Sequence, residues 1–136
     1  DVIVNGSYLG GDIVTAWLGN GDKRLQRRVT NVSQCCSYFV PGDFNGDGRL
    51  DAFVLTFGIP VGYTVLLGNG DGRFQQLSIQ PLDSAFAPAV GDLNGDGTLD
   101  VALLANQTVT SCLARETQPS SSFLSPRSES GQPYHR

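Results

Sequence analysis

Short apolar runs, some alternating with polar residues and some continuous, are cut from one another along this chain by glycine-rich turns. "YTVLL" (63–67) and "RFQQLSIQ" (73–80) lie on either side of "GNGDG" (68–72). An Asn-Gly or Asp-Gly turn between alternating β-branched and apolar residues is the strongest short-range signal for a β-hairpin. No long window keeps apolar residues at a helical 3.6 spacing, and Gly or Pro interrupts nearly every one. The pattern therefore predicts an all-β chain with essentially no helix.

The alternation also repeats at longer range. "GDFNGDGRLDAFVL" (42–55) returns as "GDLNGDGTLDVALL" (91–104), 49 residues later, and "LGNGD" recurs at the same offset, at 18–22 and 67–71. Two unrelated phrases with one period mark a duplicated structural unit. Each unit reads as an apolar lead-in, an acidic loop, an apolar run and a hairpin, hence four short antiparallel strands. A period of 40 to 50 residues with four strands per unit is the signature of a β-propeller blade. The expected architecture is about two blades within residues 1–112, one complete and two partial: a partial blade at 1–33, a full blade at 38–80 and a partial blade at 86–112. The opening "DVIV" aligns with "DAFV" and "DVAL", at the last residue of a loop, as in a mature or excised segment. Residues 113–136 are rich in Ser and Pro and poor in large apolar residues, the composition of a disordered tail.

The repeated loop carries the chemistry. Asp-x-Asn-x-Asp-Gly-x-x-Asp sets oxygen donors at its first, third, fifth and ninth positions, and a backbone carbonyl at the seventh can join them. Hard oxygen ligands wrapped about one point are what calcium requires. The first loop offers Asp43, Asn45, Asp47, the Arg49 carbonyl and Asp51, and the second offers Asp92, Asn94, Asp96, the Thr98 carbonyl and Asp100. Two Ca2+ sites are expected. Gly46, Gly48, Gly95 and Gly97 permit the positive φ such a loop needs, and Leu50 and Leu99 are expected to anchor the loop exits in the core. Three carboxylates in one loop repel each other without a cation, so metal binding and blade order should be coupled. EF-hand and dockerin loops begin similarly but are tied to helices. Here Val54 or Leu103 stands at the twelfth position, where an EF-hand has Glu.

With these residues in view, the sequence resembles the FG-GAP, or VCBS-type, repeats of integrin-α-like β-propellers over roughly residues 1–112. The name-giving Phe-Gly and Gly-Ala-Pro are echoed only in "FAPAVGD" (86–92) and "YFVPGD" (38–43). The resemblance implies a calcium-stabilised extracellular propeller whose metal loops lie at one rim, away from the ligand face, with calcium in a structural role.

Composition narrows the partners. A net charge of −4 argues against nucleic acid, whose phosphates need clustered Lys and Arg. The basic group Lys23, Arg24, Arg27 and Arg28 reads as a solvated strand face. No apolar run approaches the length of a membrane span, so no membrane insertion is expected. Sequons at Asn5, Asn31 and Asn106 favour a secreted glycoprotein. Cys35, Cys36 and Cys112 have no metal-ligand spacing; packed small residues, a vicinal disulfide or one long-range bridge all remain open.

The leading functional reading is a binding or adhesion module for a protein or glycan, with Trp17 or Tyr63 able to stack on a sugar ring if the ligand is a carbohydrate. The alternatives are a self-assembling ring or filament joined through open blade edges, and a non-catalytic accessory region of a secreted hydrolase. Catalysis is not expected: His135, the one histidine, lies in the tail, and the loop carboxylates are committed to metal.

Overall fold

The computed structural model describes residues 1–8, 11–33, 36–56, 59–82, 84, 86–105, 108–114 and 124–128. These residues form antiparallel β-sheets joined by turns, with no helix among them. The first sheet holds β1 (Val2–Tyr8), β2 (Gly11–Gly19) and β3 (Leu25–Val32), in that order. The second orders β4 (Cys36–Gly42), β5 (Asp51–Thr56), β6 (Gly62–Gly68) and β7 (Phe74–Gln76), and the short β8 (Gln80–Pro81) also pairs with β6. β7 and β8 act as one interrupted outer strand, because Leu77 N–H still donates to the Val65 carbonyl between them, at 3.0 Å. The third sheet orders β9 (Phe86–Gly91), β10 (Asp100–Ala105), β11 (Thr108–Ala114) and β12 (Leu124–Ser128). Among the described residues the sheets do not close into a ring.

The 49-residue period is therefore a period of sheets. β12 is a departure from the expected boundaries, since it lies inside the Ser/Pro-rich stretch and pairs with β11 from Thr110↔Ser128 to Ala114↔Leu124. It stands where the period puts the outer strand of a third unit, so that unit continues beyond Cys112. Its composition hid it: "LSPRS" has one large apolar residue and a proline, which an edge strand tolerates because one side of its ladder is unpaired.

Alternation along the strands decides which sheet packs on which. In β5, Ala52 and Val54 face the first sheet and join Val14, Ala16, Leu66 and Phe74 in one core. Phe53 and Leu55 face the third sheet and join Phe44, Tyr63, Val65, Val101 and Leu103 in another. Every residue of β5 is buried, which is why its apolar run is continuous rather than alternating. Phe53 and Tyr63 stack with ring centroids 5.5 Å apart, and Phe44 tilts onto Phe53 at 6.3 Å.

Two substitutions test this layering. Phe53→Ala should cost about 3–5 kcal/mol, the range for truncating a buried aromatic. Leu104→Ala, at a position 45% exposed on the outer side of the third sheet, should cost under about 1 kcal/mol. Urea denaturation followed by circular dichroism gives both values.

Candidate metal centre

Each acidic loop folds around its first aspartate. Asp43 Oδ1 accepts from Gly46 N–H at 2.8 Å and from Asp47 N–H at 3.2 Å, while Oδ2 accepts from Gly48 N–H at 2.9 Å. Asn45 Oδ1 accepts from Asp47 N–H, Asp47 Oδ1 accepts from Arg49 N–H, and the Asn45 amide donates to Asp47 Oδ2 at 3.0 Å. Short Asp and Asn side chains bond backbone groups two residues on, which is what bends the chain here. Gly46 and Gly48 sit at φ +71° and +79°, in the left-handed region that a side chain would strain.

The second loop repeats these bonds residue for residue. Asp92 Oδ1 takes Gly95 and Asp96 N–H at 2.7 and 3.1 Å, Oδ2 takes Gly97 N–H at 2.9 Å, and the Asn94 amide donates to Asp96 Oδ2 at 2.8 Å. One difference follows from the seventh residue. The Thr98 hydroxyl donates to Asp96, and with the Thr98 and Asn94 N–H bonds it holds the Asp96 carboxyl below its ordinary range.

The ninth aspartates have a separate task. Asp51 is fully buried; its Oδ2 accepts from Phe44 N–H at 3.0 Å and its Oδ1 from Gly68 N–H at 2.8 Å. One carboxylate thus ties the loop's second residue to the end of β6. Asp100 is also fully buried and accepts from Leu93 N–H at 2.9 Å. Asp1 Oδ1 accepts from Gly19 N–H at 2.8 Å, the same bond one unit earlier. Burial pushes the Asp51 carboxyl above its ordinary range; the two N–H bonds oppose that push, and the nearby charges of Asp47 and Asp43 add to it.

Asp43, Asn45, Asp47 and Asp51 thus share one loop, as do Asp92, Asn94, Asp96 and Asp100, with Arg49 and Thr98 at the seventh positions. Each side chain is turned onto its own loop's amides, and among the described residues no three acidic, His or Cys side chains converge as a metal cluster. The donor chemistry nonetheless fits a hard cation, since each loop offers three carboxylates and a side-chain amide oxygen.

Other positions depart from expectation. Leu99 packs against the core between the second and third sheets, whereas Leu50 is 47% exposed. The anchor of the first loop is Phe44, fully buried between sheets. An aromatic residue inside an otherwise polar loop was the available signal. Tyr63 is buried against Phe53, so it cannot stack on a sugar; Trp17 is half-buried on the outer face of the first sheet, with the Arg27 guanidinium 6.0 Å from its ring centroid. Lys23, Arg24 and Arg27 are solvated as expected, and Arg28 is half-buried. Asn31 is exposed on β3. Asn5 lies in β1 and its side chain is outside the described residues, as are Asn106, Cys35 and the side chains of Cys36 and Cys112.

Stacked antiparallel sheets with an acidic loop between the first two strands of a unit define a propeller-type repeat module. Residues 43–103, which span both loops and the strands between them, match the family model described as an FG-GAP-like repeat. No curated protein and no solved structure matches the chain. Among the described residues, no helix is long and apolar enough to cross a membrane.

Three substitutions separate the loop's clip from its backbone. Asp51→Ala strands two buried N–H donors and should cost about 2–4 kcal/mol, at about 1–3 for each. Gly68→Ala should also be strongly destabilising, because a Cβ there would lie 2.0 Å from the Leu50 carbonyl oxygen. Gly91→Ala, with nothing within 4 Å of the added carbon, should stay within about 0.5 kcal/mol of the parent. Thermal unfolding of the three variants in chelator gives the ranking.

Proposed function

We propose that this chain is a calcium-stabilised extracellular binding or adhesion module, with one structural Ca2+ in each acidic loop and a protein or glycan as its ligand. The observation that carries this reading is the twice-built loop, in which three carboxylates and an amide oxygen share one turn and their mutual charge is left for a cation to offset. Asp43, Asn45, Asp47, Asp51 and the Arg49 carbonyl would hold one ion. Asp92, Asn94, Asp96, Asp100 and the Thr98 carbonyl would hold the other.

Calcium supplies charge neutralisation and a fixed centre for the loop, and no bond-making step is assigned to it. The chain's own residues set the loop's shape: the glycines give the turn, the first aspartate gathers its amides, and the ninth clips it to the hairpin. Asp43, Asp47 and Asp51 would hold the ion, whose charge would offset theirs. The repeat type and the sequons, with Asn31 exposed, support an extracellular setting, and the net charge of −4 supports a partner other than nucleic acid. The region is read as non-catalytic.

Calorimetric titration of calcium into chelator-stripped protein should find two sites. Kd values of about 10⁻⁴ to 10⁻³ M are expected, the range of extracellular modules. Saturation near 100 Kd should add about 2.7 kcal/mol of stability per site. Asp47→Ala should remove one site and Asp47→Ala/Asp96→Ala both. Neither heat nor a rise in the thermal midpoint at millimolar calcium would leave the loops as turns alone.

A further inference from the structure

We infer that two copies of this chain associate head to tail, the outer face of the third sheet of one covering the outer face of the first sheet of the other, to give a closed ring of six sheets. This goes beyond the calcium-module reading and does not depend on it. The warrant is that the chain already contains this contact twice. The second sheet covers Val101 and Leu103 of the third, and the first sheet covers Ala52 and Val54 of the second.

The aligned phrases "DVIV", "DAFV" and "DVAL" place Val2 and Val4 at the same positions in the first sheet. The matching hydrogen bonds of Asp1 to Gly19 and Asp51 to Gly68 confirm that register. Ala52, Val54, Val101 and Leu103 are at most 1% exposed, whereas Val2 and Val4 are 52% and 50% exposed. The opposite face behaves the same way. Phe44 and Leu55 are buried where the second sheet meets the third, but their counterparts Leu93 and Leu104 are 52% and 45% exposed. Val109, paired with Leu104 and on the same side, is 60% exposed.

The two uncovered faces are therefore the two halves of one contact. One is the side that receives a neighbour and the other the side that supplies it, so the chain's own second copy fits both. A contact between different faces forms a ring if its rotation closes and a fibre if it does not. Six sheets lie within the four to eight blades with which propellers close. Arg27 lies on the same face, on the outermost strand, with its guanidinium over the Trp17 ring.

The test is the mass of the bacterially expressed chain, which lacks glycans at Asn31, by light scattering after gel filtration and by sedimentation. Twice the 14.5 kDa of one chain is expected at about 100 μM, a concentration at which a micromolar contact is filled. Val4→Glu and Leu104→Glu each place a charge in the contact and should raise the dissociation constant at least about tenfold. Both sites are exposed in the single chain, so circular dichroism should be unchanged. Mixing the two variants restores one intact contact, and should raise the average mass above that of either alone. A single-chain mass for the parent, a series of species larger than two copies, or a mixture no heavier than its components would each overturn the proposal.

Discussion

The second unit depends on a carboxylate buried at the end of its acidic loop and held by backbone N–H groups from two places in the chain. Asp51 binds Phe44 N–H and Gly68 N–H at once, so the entry of the loop, the start of β5 and the end of β6 are fixed relative to one another. Removing a carboxylate from water is costly, and burial does push this group upward. The two charge-assisted hydrogen bonds offset that cost and leave no donor stranded beside them. The clip also seats Phe44 in the core between sheets, so loop geometry and sheet packing are one feature.

The same arrangement explains why the loop is acidic and the strand after it wholly apolar. β5 lies inside two cores, one on each face, and can carry no polar alternation. Its polar requirement is concentrated just upstream, where Asp43, Asn45 and Asp47 fold the turn with their own side chains. That economy gathers like charge beside a buried carboxylate, the setting in which a divalent cation stabilises most.

Much of this was legible in the sequence. The repeat of "LGNGD" and of the nine-residue loop fixed the period, and the run 63–67 lies within one residue of β6 at each end, whereas the run 73–80 is split into β7 and β8. What was missed depended on neighbours. Leu50 and Leu99 are identical in sequence role, yet Leu99 packs beside Gly42 of the preceding sheet while Leu50 lies exposed. Phe44 and Leu93 differ in the same way. The outer strand β12 escaped because an edge strand needs no apolar face of its own, and composition therefore read its segment as tail. Tyr63, which on sequence could have met a sugar, is placed by the two-residue alternation of β6 in the core.

The most direct measurement is amide hydrogen exchange by NMR, in chelator and then in calcium. The account predicts slow exchange at Phe44 and Gly68 in both conditions, because Asp51 holds them whether or not an ion is present. It also predicts that the protection of Gly46, Asp47 and Gly48, whose bonds to Asp43 lie in an exposed loop, rises when calcium is added. Rapid exchange at Phe44 and Gly68 in chelator would contradict the buried clip, and protection of the loop amides unchanged by calcium would contradict the coupling of that clip to a metal.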